Sequence, residues 1–397
     1  MDGTLGTVIK PGDLSPASLA RRVSAFFAAS FLINGIYGPY FGVWLESKGL
    51  SPVMVGVVLS LPMFSRMVAG PLFAYAADRW SKHRLAIQLL ISAALLGFFA
   101  PSLFGLGVGL TLIAALNALA MPSIAPLSES FAIAGVQRHG LDYGRMRMWG
   151  SAAFVIANLV GGAVLARFGA PSILWMLTFA ALLALAVTLL LPGNLAGGGA
   201  ARMQFGEIGE LLAKPRFAQL LGACGAIQCS HGFFNTFATL AWRDQGISAG
   251  VIGLLWATAV FSEVALFALA RRPLIRLGGT GMIVLGGSAA LIRWIAFGFD
   301  LPLPLLFAFQ ALHGLSFGAT HMGAMHEMAQ QIPVKLSATA QGLYAATTGG
   351  IITGAIVLAC GPLFANFGAG AYWAMAVIAA LGLALAVRFR RLARQPA

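Results

Sequence analysis

The chain has 397 residues, of which 59% are hydrophobic and 9% charged. A soluble domain carries about 25% charged residues, so a water-soluble globule is excluded, and the apolarity excludes a disordered chain. Cys224, Cys229 and Cys360 are too few for a disulfide framework, and no Cys/His spacing suggests a metal site. A net charge of +13 would point to nucleic acid in a soluble protein; in an apolar chain the placement of the charges points to membrane topology.

The first 22 residues are polar and end in Arg21-Arg22. Apolar segments follow at 23–45, 53–77, 85–105, 109–133, 146–167 and 171–191, then at 216–240, 250–270, 280–299, 303–326, 338–361 and 371–388. Each is near the ~20 residues that cross a bilayer core, so twelve transmembrane helices are predicted. Their unbroken apolarity argues against barrel strands, which alternate. The first run is too long for a signal-peptide core and reads as a retained helix. The stretch 192–215 is polar and Gly-rich and divides six spans from six. The predicted organisation is a tail over 1–22, a six-helix bundle over 23–191, a central loop over 192–215, a second bundle over 216–388 and a tail over 389–397. No P-loop motif is present, so ATP is not the expected energy source.

Lysine and arginine set the orientation. Nineteen of the 25 fall on one side: Lys10, Arg21, Arg22, Arg79, Lys82, Arg84, Arg138, Arg145, Arg202, Lys214, Arg216, Arg271, Arg272, Arg276, Lys335, Arg388, Arg390, Arg391 and Arg394. The other side has Lys48, Arg167 and Arg243, and three lie within spans. This places both termini and the central loop in the cytoplasm, with the protein multi-pass in a bacterial inner membrane.

Two stretches carry a family resemblance. AYAADRWSKHRL, residues 74–85, resembles the major facilitator signature Gly-x-x-x-Asp-Arg-x-Gly-Arg-Arg through Asp78, Arg79, Lys82 and Arg84, with Ala74 and Ser81 where Gly is usual. The basic turn ARRPLIRLGG, residues 270–279, is its counterpart in the second half. PLSESFAIAGVQRHGLDYGRMRMWGSAAF, residues 126–154, resembles the hairpin between spans four and five of lactose-permease-like proton symporters. It is closer to the phenylpropionic-acid permease branch through Asp142-Tyr143-Gly144, Arg147 and Trp149-Gly150-Ser151. FSEVALFALA (261–270), LIRWIAFG (291–298) and ALHGLSFGATHMGAM (311–325) agree. The resemblance implies an all-α membrane fold of two pseudo-symmetric six-helix bundles, with the substrate between them. It also implies Asp78, Arg79, Lys82 and Arg84 as a conformational gate.

Ionisable groups within a span cost about 2.5–3.5 kcal/mol each on insertion scales, which makes them site candidates. Glu129 and Arg147 face each other across one turn and form either a substrate site or an ion-pair staple. Arg66, about 18 Å into span two from Asp78, suits a substrate carboxylate, or else pairs with Glu129 or backbone carbonyls. Glu263, Arg293 and His313 fall where the lactose-permease-like family has site and proton-coupling residues. Gln310 and Ser316 stand where the sugar symporters have Lys and a carboxylate, and Asn235 where they have Asp, so that proton route does not carry over. Glu263, with Arg293 as its expected partner, is the first coupling candidate; Glu129, His313 and His321 are the others. His231, Asn34, Tyr37, Asn235 and Gln341 complete the candidate substrate-binding set with Arg66, Glu129, Arg147, Arg293 and His313. Tyr37, Tyr40 and Trp44 read as an aromatic wall or an interfacial belt, and His326 and Glu327 as surface groups.

The expected function is a secondary transporter, not an enzyme: proton-coupled symport of a small aromatic carboxylate by alternating access. A symporter for a sugar or nucleoside, and a proton-antiport exporter, are the alternatives. No cofactor beyond the proton gradient is expected. The expected partners are a small-molecule substrate, protons and the lipid bilayer, with no nucleic acid and a monomeric chain.

Overall fold

The computed structural model describes residues 15–193, 205–269, 276–333 and 336–393. Lys10, Arg202, Arg271, Arg272, Lys335 and Arg394 of the orientation count lie outside the described residues.

The described residues of the first half are helical almost throughout. α1 (Pro16–Ser47) is capped by Ser15, and α2 (Pro52–Ser65) by Ser51, each followed by proline at the start of the helix. α3 (Ala69–Trp80) continues the second span, and α4 (His83–His139) covers the third and fourth. α4 turns at Gly105, whose φ of 75° and ψ of 172° no helix interior adopts. α5 (Tyr143–Phe168) starts at an Asp142 cap, and α6 (Ser172–Thr188) follows.

In the second half come α7 (Phe205–Leu212), α8 (Pro215–Cys229), α9 (Gly232–Asp244) and α10 (Ala249–Leu269). α11 (Gly278–Phe297) and α12 (Leu303–Ala311) precede a π-helical turn at Gly314–Ala319, which runs into α13 (Thr320–Gln331). α14 (Ser337–Gly349), α15 (Ile351–Phe367) and α16 (Tyr372–Ala393) close the chain.

Eight helical stretches among the described residues are long and apolar enough to cross a bilayer. Two of them, His83–His139 of 57 residues and Thr339–Leu392 of 54, far exceed the ~20 residues one crossing needs. The expected sixth span, in Ser172–Thr188, is 17 residues long, and the seventh is divided between α8 and α9 at Ser230–His231.

Four of the expected spans are interrupted. Span two breaks at Arg66–Val68, one turn after Pro62. Span seven breaks at Ser230–His231, span ten carries the π turn, and span eleven breaks at Gly350 (φ −107°, ψ −127°). Pro122 leaves the Ala118 carbonyl without its helical partner, and the Ser65 hydroxyl donates to it from α2. The break in span two is thereby pinned to α4.

The halves pack through α1 with α9, α2 with α15 and α5 with α10. Glycines carry these crossings at the end remote from the chain termini: Gly42 against the Thr236 carbonyl, Gly56 against Gly361, and Gly162 against Gly253. An ion pair closes the same end, Arg243 Nη1 to Glu46 Oε2 at 2.9 Å. Nearer the termini Arg66 faces Gly349 and Arg147 lies near Glu263 of the other half, while Arg66 is exposed and Glu129 and Arg147 are partly so; the halves leave a cleft there.

Candidate functional site

Arg66 stands where α2 ends, its backbone N–H bonded to the Pro62 carbonyl at 3.1 Å. Its side chain is exposed to the cleft, close to Gly349 of the other half. It makes no side-chain hydrogen bond or ion pair with any described residue, and so pairs neither with Glu129 nor with a carbonyl. A guanidinium without a counter-ion at this depth has donors for a planar anion.

Glu129 on α4 and Arg147 on α5 do meet. Arg147 Nε lies 3.4 Å from Glu129 Oε1, and each side chain is about one-third exposed, at 30% and 31%. The guanidinium carbon sits 4.0 Å from the Phe31 ring centroid and 5.7 Å from that of Phe27, so α1 supplies an aromatic floor. Asn34 shares that face of α1 and is tied to the Ser30 carbonyl at 3.2 Å. Tyr143, at the start of α5, lies beside both members of the pair. Tyr143, Phe27 and Phe31 were not among the expected site residues. The Asp-Tyr-Gly run contained the signal for Tyr143; the spacing of Phe27 and Phe31, on the face of Asn34, contained the other.

Glu263 on α10 is half-buried, and the charged group acting on it is Arg147 of the opposite half. The expected Glu263–Arg293 partnership is not formed. Arg293 is fully buried and binds His313 Nδ1 through Nη1 at 3.0 Å and Gln310 Oε1 through Nη2 at 2.6 Å. Gln310 in turn donates to the Leu255 carbonyl at 3.0 Å. Phe234, Trp294 and Phe297 surround the guanidinium at 4.4, 4.5 and 5.2 Å. His231 is buried beside His313, with Nε2 3.1 Å from Ser316 Oγ and Nδ1 3.1 Å from the Ile227 carbonyl. Gln310 and Ser316 are therefore neutral members of a buried polar network around Arg293, His231 and His313, in which Arg293 Nε has no partner among the described residues.

The remaining candidates divide. Asn235 and Gln341 are exposed, Gln341 donating to Ser337 Oγ at 3.2 Å. His321 Nδ1 is 3.3 Å from the buried Tyr344 hydroxyl. Tyr37 is half-buried, stacks on Phe41 at 4.6 Å and approaches Phe98, while Tyr40 and Trp44 are buried. Glu327 is not a surface group: it is 7% exposed and accepts from the Thr280 N–H at 2.9 Å, capping α11.

In the basic turn, Asp78 pairs with His83 at 2.7 Å, and Arg84 donates to the Leu191 carbonyl at 3.2 Å. Arg79 and Lys82 are exposed. Ser81 has φ 51° and ψ 37°, the left-handed conformation that explains why glycine is usual there.

Apolar helices in two halves around a charged cleft define a membrane transporter of the major facilitator type. The profile of the MFS_1-like family matches residues 21–375, and the chain belongs to that family. It is a multi-pass secondary transporter and not an enzyme.

The chain is 28% identical over 363 residues to the probable 3-phenylpropionic acid transporter of Escherichia coli (strain K12), across 90% of this chain and 95% of that one. It is 30% identical over 344 residues to the maltose permease of Geobacillus stearothermophilus, across 84% and 85%. Among solved structures it resembles the nucleoside transporter NupG, with a TM-score of 0.77 at 17% identity over 95% of this chain and 100% of that one. It also resembles a D-xylose-proton symporter, with a TM-score of 0.68 at 13% identity over 94% and 96%. These two likenesses are of fold.

Proposed function

We infer that the protein is a proton-coupled symporter of a small aromatic carboxylate of the phenylpropionate kind. The observation that carries this reading is Arg66: a guanidinium exposed in the cleft with no counter-ion among the described residues. A carboxylate supplies the missing charge bidentately, and the half-buried ring of Phe31 offers an apolar surface to an aromatic body. The 28%-identical relative named for 3-phenylpropionic acid supports the same class.

Coupling is assigned to Glu263 and Glu129, acids of opposite halves, Glu129 paired with Arg147 and Glu263 near enough to feel its charge. Protonation of one releases Arg147 to the other, which links proton binding to the relative position of the halves. His313 is enclosed beside Arg293, so it and His321 rank behind the acids as coupling groups. No cofactor is required, since the proton gradient is the energy source.

The same reading takes the chain as a monomer of twelve crossings in two six-helix bundles, over 23–191 and 216–388. Both termini lie in the cytoplasm of a bacterial inner membrane, with substrate, protons and lipid as partners and no nucleic acid. The positive-inside distribution of nineteen basic residues to three supports the orientation.

A sugar or nucleoside symporter is the second reading. The Glu129–Arg147 pair with an aromatic ring behind it, and the maltose permease relative, favour it. Proteoliposome uptake separates the two. An inward proton gradient should drive accumulation of radiolabelled 3-phenylpropionate, and Arg66→Gln should abolish it. Accumulation of a neutral sugar or nucleoside instead, insensitive to Arg66→Gln, overturns the carboxylate reading; gradient-driven extrusion would establish the exporter.

A further inference from the structure

Span two and span eleven are both interrupted, and the two interruptions meet across the cleft. α2 stops at Ser65 and α14 stops at Gly349. A methyl group built on Gly349 would stand 2.6 Å from Arg66 Nη1 and 3.7 Å from its Cζ. One on Gly350 would stand 3.2 Å from Met67 Cγ. The Arg66 guanidinium therefore occupies the volume that a side chain at 349 would fill. It lies at the C-terminal end of α14, where the last carbonyls and the negative pole of the helix dipole favour a cation.

We propose that Gly349 is a positioning residue for substrate recognition. Its missing side chain lets Arg66 of the first half stand at the broken end of α14 in the second. A carboxylate held by Arg66 is then sensed by both halves at once. The inference rests on Arg66 as the carboxylate anchor and adds a determinant from the other half of the protein.

Two features make the position testable. Gly349 is not among the glycines with positive φ, so alanine brings no backbone strain there. The atom that a new methyl meets is the tip of a flexible side chain, not backbone. Gly349→Ala thus displaces the guanidinium while α2 and α14 keep their places.

The test is a double-mutant cycle read by direct binding of 3-phenylpropionate and of its neutral carboxamide to the purified full-length protein. Gly349→Ala should weaken binding of the acid by about tenfold, the scale of a charge-assisted hydrogen bond. It should leave the carboxamide within about twofold and add nothing in an Arg66→Gln background. Arg66→Lys supplies a second arm: its narrower head clears the new methyl, so Gly349→Ala should add little to it. Full additivity with Arg66→Gln, or equal weakening of acid and carboxamide, shows that Gly349 acts on packing and overturns the inference while the anchor stands. Wild-type affinity in Arg66→Gln overturns the anchor, and the inference with it.

Discussion

Glu46 and Arg243 form a 2.9 Å ion pair between α1 and α9, joining the halves at the end where they are in contact. Both side chains are about one-third exposed, at 32% and 37%, so the pair contributes no more than about 1 kcal/mol. That is sufficient to shift a two-state balance about fivefold. Arg243→Gln should raise the alkylation rate of a cysteine introduced at Asn235 by about that factor, when reagent is added from the contact end. The native cysteines are buried and leave the background low. The swap Glu46→Arg with Arg243→Glu should restore the slow rate; an unchanged rate in Arg243→Gln shows that the pair does not hold the end closed.

Arg147 binds Glu129 through Nε and lies over Phe31. Lysine keeps the charge but loses the planar fork that makes both contacts. Arg147→Lys is expected to lower the initial uptake rate at least tenfold, with protein abundance in the membrane unchanged. Uptake within twofold of wild type would reduce the pair to a staple between α4 and α5.

Glu263→Gln removes a titrating carboxylate and keeps its shape. If Glu263 carries the coupling proton, gradient-driven accumulation should disappear while exchange of external for internal substrate continues. Exchange should also lose its dependence on pH. Accumulation that survives the substitution moves the coupling to Glu129.

Arg293 is enclosed by neutral partners, so its removal strands Gln310 Oε1 and His313 Nδ1. An unsatisfied buried group costs about 1–3 kcal/mol. Arg293→Met, which keeps most of the volume, should lower the melting temperature of the ligand-free protein by several degrees. A transporter with unchanged melting temperature but lost substrate affinity would place Arg293 in the binding site instead.

Ser81 sits in left-handed backbone at φ 51°, which costs a side-chain-bearing residue about 1–2 kcal/mol. Ser81→Gly should stabilise the protein by about 1 kcal/mol net, read as a rise of about 1–2 °C in melting temperature. A fall shows that the serine hydroxyl matters more than the strain.

The apolar runs and the basic residues between them marked the fold, because a continuous apolar run of bilayer length has few other uses. Glu129 and Arg147 were readable as a pair because they flank one short turn. The partners of Arg293 were not, since hydropathy along a helix shows which face is buried and not which neighbour it meets. Gln310 and Ser316 looked like lost charges in the sequence and act as neutral hydrogen-bond partners in the structure. The breaks at Arg66 and Gly350 were hidden for a related reason. Pro62 and Gly349-Gly350 permit a break, but its position depends on groups from other helices, such as the Ser65 hydroxyl on the Ala118 carbonyl.

The glycine crossings at the contact end have a kinetic consequence. Gly56 with Gly361, and Gly162 with Gly253, bring backbone against backbone, so few side chains interlock there. Such a seam separates by translation, without rotamer changes or unthreading, and the barrier to opening it stays low. A side chain at Gly162, Gly253 or Gly361 would stand 2.5–2.7 Å from a backbone carbonyl oxygen of the opposite half, so it acts as a wedge that keeps this end from closing.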